Sequence, residues 1–98
     1  MAETGRTVVI TGASSGFGAA AVRAFADRGD RVWGTMRDAD GRNAAKKAEL
    51  EACSPRIAIA EMDVTSDASV AEGFARILAE GPVDILINNA GIMYIGMT

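Results

Sequence analysis

One junction constrains this chain more than any other. Arg6-Thr7-Val8-Val9-Ile10-Thr11 is a β-branched run that ends at Gly12, and an alanine-rich stretch from about Gly16 to Arg28 follows it. The first has the pattern of a strand buried on both faces. In the second, Phe17, Ala21, Ala24, Phe25 and Arg28 fall at three- and four-residue spacing, which predicts a helix closed by Gly29. The turn between them, Thr11-Gly12-Ala13-Ser14-Ser15-Gly16-Phe17-Gly18, joins the carboxyl end of a strand to the N-terminus of a helix. Open α/β sheets bind ligands at such a place. Gly12 permits the sharp turn out of the strand. Gly16, without a Cβ, lets a diphosphate come against the backbone, and Gly18 lets the helix pack closely on the sheet. The free N–H groups and the dipole of the first helical turn face the anion, and Ser14 and Ser15 add hydroxyl donors. A P-loop would end in Gly-Lys-Ser/Thr, and this loop has no lysine.

The rest of the chain repeats the alternation. Arg31 to Met36 reads as a second strand, and a weaker, polar helix is expected from Ala39 to Cys53, stopped by Ser54-Pro55. Arg56 to Met62 is a third strand ending at Asp63. Ser66 or Asp67 caps a third helix, with Val70, Phe74, Ile77 and Leu78 as its apolar stripe. Val83-Asp84-Ile85-Leu86-Ile87-Asn88 is a fourth strand. Four strands alternating with three helices in 98 residues predict one doubly wound α/β domain, residues 1–98, with parallel strands and right-handed crossovers. The expected spatial order is 3-2-1-4.

Composition removes several functions. Lys+Arg number 10 against 13 Asp+Glu, a net charge of −3, whereas general nucleic-acid binding needs basic charge. No apolar run approaches the twenty residues of a membrane span, and Met1-Ala2-Glu3-Thr4-Gly5 lacks the layout of a signal peptide. The single cysteine, Cys53, suits a reducing cytoplasm and is expected to be a buried or half-buried thiol. Histidine is absent, so imidazole-based triads and proton shuttles are out, as are most zinc sites. Lys46 and Lys47 with Glu49 and Glu51 read as a solvated helix face, and Trp33 as core.

The spacing T-G-x-x-x-G-x-G, Met62-Asp63-Val64 after the third strand and Asn88-Asn89-Ala90-Gly91 after the fourth together resemble the short-chain dehydrogenase/reductase family. The resemblance covers about residues 7–92 and implies a Rossmann-type dinucleotide-binding fold. It implies that Gly12, Ser14, Ser15, Gly16, Phe17 and Gly18 cradle the diphosphate and adenosine ribose. Asp63 would accept from the adenine amino group while the Val64 backbone meets the ring edge, and Asn89, Ala90 and Gly91 would line the riboses. Simpler readings stay open: Asp63 as a strand end that prepares the next helix cap, and Asn88 and Asn89 as residues that only bond the backbone of neighbouring strands.

The end of the second strand bears on NADP against NAD. In NAD-using relatives an acidic residue there binds the ribose hydroxyls; here the slot is Met36, followed by Arg37. A guanidinium at that position resembles the family pattern for NADP, its fork suiting a 2′-phosphate. The alternative is an arginine paired with Asp38 or Asp40. Ser15 stands where some NADP-dependent relatives carry a second basic residue. The implied reaction is hydride exchange between nicotinamide and a small carbonyl or alcohol substrate, in a cytoplasmic, homo-oligomeric enzyme. Family members are about two and a half times this length, and their catalytic serine and Tyr-x-x-x-Lys lie beyond position 98. Tyr94, the only tyrosine, is followed four residues later by Thr98, so the chain reads as a cofactor-binding half without catalytic residues or metal ligands. The alternatives are a non-catalytic NADP(H)-binding sensor or partner module and, more weakly, a sugar-nucleotide epimerase.

Overall fold

The structure, a computed structural model, describes residues 6–89. In chain order the elements are β1 (Thr7–Ile10), α1 (Gly16–Asp27), β2 (Arg31–Met36), α2 (Ala44–Cys53), β3 (Ile57–Glu61), α3 (Asp67–Ala79) and β4 (Ile85–Ile87). The strands form one sheet in the order β3-β2-β1-β4, and every pairing is parallel. This is the expected doubly wound order.

Side chains on successive strand residues point to opposite faces, so β1, β2 and β3 feed two cores, while β4 adds Ile85 and Ile87 to the first and leaves Leu86 exposed. Val8, Ile10, Val32, Met36 and Ile59 pack with Val22 and Ala26 of α1 and Leu50 of α2. On the other face Val9, Trp33, Ala60 and Met62 pack with Ile77 of α3. Trp33 is core, as expected, with 4% of its surface exposed.

The helices differ in detail from the pattern read in the sequence. In α1 the buried positions are Gly18, Val22 and Ala26, with Ala19, Ala21 and Phe25 partly covered. Phe17 is 69% exposed, and Ala24 and Arg28 also face solvent. The packed stripe is therefore turned from the one traced through the aromatics, because small residues let α1 lie close against β1 and β2. In α3 Leu78 is exposed and Gly73 buried, where a Cβ would meet the Met62 side chain and the Glu61 carbonyl. Ser66 is the cap: its hydroxyl accepts from the Ser69 N–H.

The second helix begins at Ala44, five residues later than its composition suggests. Asp38 takes a left-handed φ of 50°, and its carbonyl accepts from the N–H groups of Gly41 and Asn43. Asn43 uses its side-chain amide on the Arg37 carbonyl, at 2.6 Å. Asp, Gly and Asn thus satisfy the backbone locally and hold turns where alanine and arginine would continue a helix. Cys53, at the end of α2, is exposed rather than buried; its thiol lies against the Glu49 carbonyl at 3.3 Å.

Candidate functional site

Parallel order brings the carboxyl ends of all four strands to one edge, and the described residues singled out from the sequence for cofactor binding gather there. Gly12 leaves β1 with φ 69°, a conformation that costs a side-chain-bearing residue about 1–2 kcal/mol. The chain then crosses to β2, where the Ala13 N–H donates to the Thr35 carbonyl at 2.8 Å. Ser15 caps α1: its hydroxyl donates to the Gly12 carbonyl and accepts from the Gly18 N–H, both at 3.0 Å. The Ser15 hydroxyl thus helps to build the loop. A cap takes only part of the first turn's donors, which leaves the N–H groups of Gly16 and Phe17 for solvent or an anion.

The three glycines have separate reasons. A Cβ on Gly18 would stand 2.3 Å from the Gly12 carbonyl oxygen and 2.9 Å from the Asn89 amide nitrogen. A Cβ on Gly16 would meet nothing within 4 Å, so the backbone there is open to a ligand rather than to a neighbour. The first glycine turns the chain, the second leaves room, and the third admits the Asn89 side chain.

Asn88 and Asn89 tie the end of β4 to this loop. The Thr11 hydroxyl donates to Asn88 Oδ1 at 3.0 Å, a side-chain link between the ends of β1 and β4. Asn89 Nδ2 donates to the Gly12 carbonyl at 3.1 Å and to the Ser15 hydroxyl at 3.3 Å. Ala90 and Gly91, expected to line the riboses, and Tyr94 lie outside the described residues.

On the other side of the edge, Met36 is 2% exposed and belongs to the core; its apolar side chain offers no ribose acceptor. Arg37 is exposed, and neither suggested partner takes it. Asp38 pairs with Arg42 at 3.4 Å, and Asp40 with Lys47 at 2.8 Å. Among the described residues no carboxylate forms an ion pair with Arg37. Asp63 follows β3 and bonds into the turn that precedes α3. Its Oδ1 accepts from the Thr65 hydroxyl at 2.6 Å and the Thr65 N–H at 3.0 Å, and its own N–H donates to the Ser69 hydroxyl. Those bonds from Thr65, with desolvation opposing and the positive charge of Arg37 assisting, hold its carboxyl below the usual range. Beside it Val64 is 42% exposed.

A cavity of about 180 Å³ opens beside the glycine loop, lined by Ser14, Ser15 and Gly16 together with Arg23, Lys46 and Glu49. Arg23 is paired with Glu49 at 3.6 Å. Lys46, Glu49 and Glu51 are exposed, as the solvated-face reading expects, and Lys46 and Glu49 border this wall. Glu61 is the residue missed: its carboxylate accepts from the N–H groups of Asp38 and Ala39, at 3.0 and 2.8 Å. A charged residue ending an otherwise apolar strand was the available signal.

The family model for short chain dehydrogenases matches residues 6–98. Retinol dehydrogenase 8 of Bos taurus is 40% identical over 99 residues, covering 98% of this chain and 31% of its own length. A short-chain dehydrogenase from Streptomyces avermitilis superposes with a TM-score of 0.79 at 37% identity, over 91% of this chain and 31% of that one. An NADPH-bound carbonyl reductase from chicken fatty liver superposes with a TM-score of 0.75 at 31% identity, over 87% of this chain and 34% of that one. The chain thus spans about a third of the length of the relatives it matches. Sheet order, glycine loop and matched residues agree: the chain belongs to the short-chain dehydrogenase family.

Proposed function

We propose that the protein is an NADP-dependent oxidoreductase whose cofactor-binding side is the edge described above. The nicotinamide cofactor supplies a hydride at C4 to a carbonyl, or takes one from a secondary alcohol. The chain's own residues bind and orient. Gly16 and the first turn of α1 offer an open backbone and an unspent helix dipole to the diphosphate. Ser14 borders the same space from within the loop. Asp63 keeps Oδ2 outside its bonds to Thr65, and that oxygen can accept from the adenine amino group beside Val64. Arg37 meets the 2′-phosphate.

The observation that carries the choice of NADP is the state of Arg37. An exposed guanidinium beside two aspartates that are each paired elsewhere is available for a ligand anion. Buried Met36 offers an NAD ribose no competing acceptor. The NADPH in the carbonyl reductase supports a nicotinamide dinucleotide here; the preference for the phosphate rests on this arginine.

A charge-assisted contact of this kind is worth about 1.5–3 kcal/mol, or roughly ten- to a hundredfold in affinity. Dissociation constants of the protein for NADPH and NADH, read by nucleotide fluorescence, test the reading. We expect NADPH to bind the more tightly, and Arg37→Ala to remove most of the difference while leaving NADH nearly unchanged. Added salt should weaken NADPH the more, since an exposed contact is screened. Equal affinities in the unaltered protein, or tighter NADH, would refute it.

A further inference from the structure

We propose that Glu61 is a positioning residue for cofactor choice, holding the turn after β2 so that Arg37 is presented to the 2′-phosphate. The inference rests on the role given to Arg37 above. Glu61 ends β3 and sits in register opposite Met36, the residue before Arg37. Its two carboxylate oxygens accept from consecutive N–H groups, Oε2 from Asp38 at 3.0 Å and Oε1 from Ala39 at 2.8 Å. Two successive amides can point at one carboxylate only if the backbone between them is bent. Asp38, with its left-handed φ of 50°, supplies the bend. Such a conformation is unfavourable for a residue with a Cβ, so it persists where the surroundings impose it.

The clamp closes around Arg37 from both sides. Before it, the Met62 N–H donates to the Met36 carbonyl at 3.0 Å. At Arg37 itself, the carbonyl accepts from the Asn43 amide. After it, Glu61 takes the next two N–H groups. The backbone of Arg37 is therefore fixed while its side chain stays exposed. A carboxylate with free oxygens at this turn would compete with a ligand phosphate for the guanidinium. Here both oxygens are occupied by amides, and no ion pair joins Glu61 to Arg37. Preorganising a long side chain at its root lowers the entropy lost when it meets a ligand.

NADPH and NADH dissociation constants, with thermal melting, for the unaltered protein, Glu61→Ala, Glu61→Gln, Arg37→Ala and the double variant Arg37→Ala/Glu61→Ala provide the test. We expect Glu61→Ala to weaken NADPH by about tenfold, the scale of one lost preorganised ionic contact, and NADH by less than about twofold. Glu61→Gln, which keeps a single acceptor oxygen, should fall between, and it carries the test if the alanine variant does not fold. On the Arg37→Ala background the Glu61 change should cost nothing further in NADPH affinity, although melting falls in both backgrounds. Equal weakening of the two nucleotides would make Glu61 merely structural, and tighter NADPH binding would mean that its charge, not its clamp, is felt; either overturns the proposal. If Arg37→Ala leaves the NADPH to NADH ratio unchanged, the reading of Arg37 has failed. If Arg37→Ala shifts that ratio and Glu61→Ala does not, only the present inference has failed.

Discussion

The two halves of the binding edge are built in different ways. The half above β1 and β4 is made of backbone: a left-handed Gly12, a serine cap and an asparagine amide, all bonded to one another. The half above β2 and β3 is made of charge: Arg37, Asp38, Asp63 and Glu61 around a turn that no helix continues. In the first, polar groups are spent on the loop's own shape, and what faces outward is a helix N-terminus, a place that favours an anion. In the second, Glu61 and Asp63 also hold backbone, and the exposed Arg37 is in no ion pair among the described residues. Under the proposed function this difference separates affinity from selectivity. Damage to the first half should weaken every dinucleotide alike, and damage to the second should change the ratio between them.

The largest break to that comparison is Gly18→Val. Its Cβ would lie 2.3 Å from the Gly12 carbonyl and 3.0 Å from Ala13 Cα, both backbone, so the loop must move. Overpacking of this kind costs about 1–3 kcal/mol. For a domain of this size each kcal/mol lowers Tm by roughly 4–8 °C. NADPH and NADH binding should be lost together, as read by titration calorimetry alongside a melting curve. A variant that keeps NADH while losing NADPH would show that the two halves are not separable.

Asn89→Ala is a milder probe of the same half. It removes the donor that spans from the end of β4 to the Gly12 carbonyl and the Ser15 hydroxyl. Each neutral hydrogen bond is worth about 1 kcal/mol, so affinity should fall by roughly fivefold for both nucleotides. A shift in the NADPH to NADH ratio beyond about twofold would carry the influence of Asn89 across the sheet edge and blur the division.

This division also explains what the sequence made legible. Strand order and the glycine loop follow from local patterns, because a β-branched run, a turn and an amphipathic helix each leave a periodic trace. Gly12, Gly16 and Gly18 each stand where their chemistry required. The charged half left no such trace. Asp40 and Arg42 look as suited to a helix as to a turn; local bonds to the Asp38 and Arg37 carbonyls hold the turn, and Glu61, more than twenty residues after Asp38, supplies two further acceptors. The α1 stripe misled for a related reason: hydrophobic weight pointed to Phe17, while close approach to the sheet selected Gly18, Val22 and Ala26. Residues paired across strands and helices chosen for smallness are tertiary facts, and a one-dimensional pattern holds neither.

The smallest effect concerns acid, and it tests whether the charged half also stabilises the fold. Thr65 donates its hydroxyl and its N–H to Asp63 Oδ1, and these bonds favour the ionised carboxylate, so its folded pKa lies below the usual 3.8. A group whose folded pKa is depressed contributes stability that is present above its unfolded pKa and lost as pH falls through the folded value. The contribution of Asp63 is therefore intact at neutral pH and disappears in the acid range below 3.8. Asp40 behaves in the same way through its hydrogen bond to Lys47, so acid unfolding draws on both and Asp63 accounts for only part of it. Asp63→Asn keeps an acceptor for Thr65 but cannot titrate. Its melting temperature should fall slightly at pH 7 and converge on that of the unaltered protein as pH drops past the folded pKa. Curves that stay parallel across the acid range would mean that the Thr65 bonds serve the turn alone, with the charge of Asp63 making no contribution to the folded state.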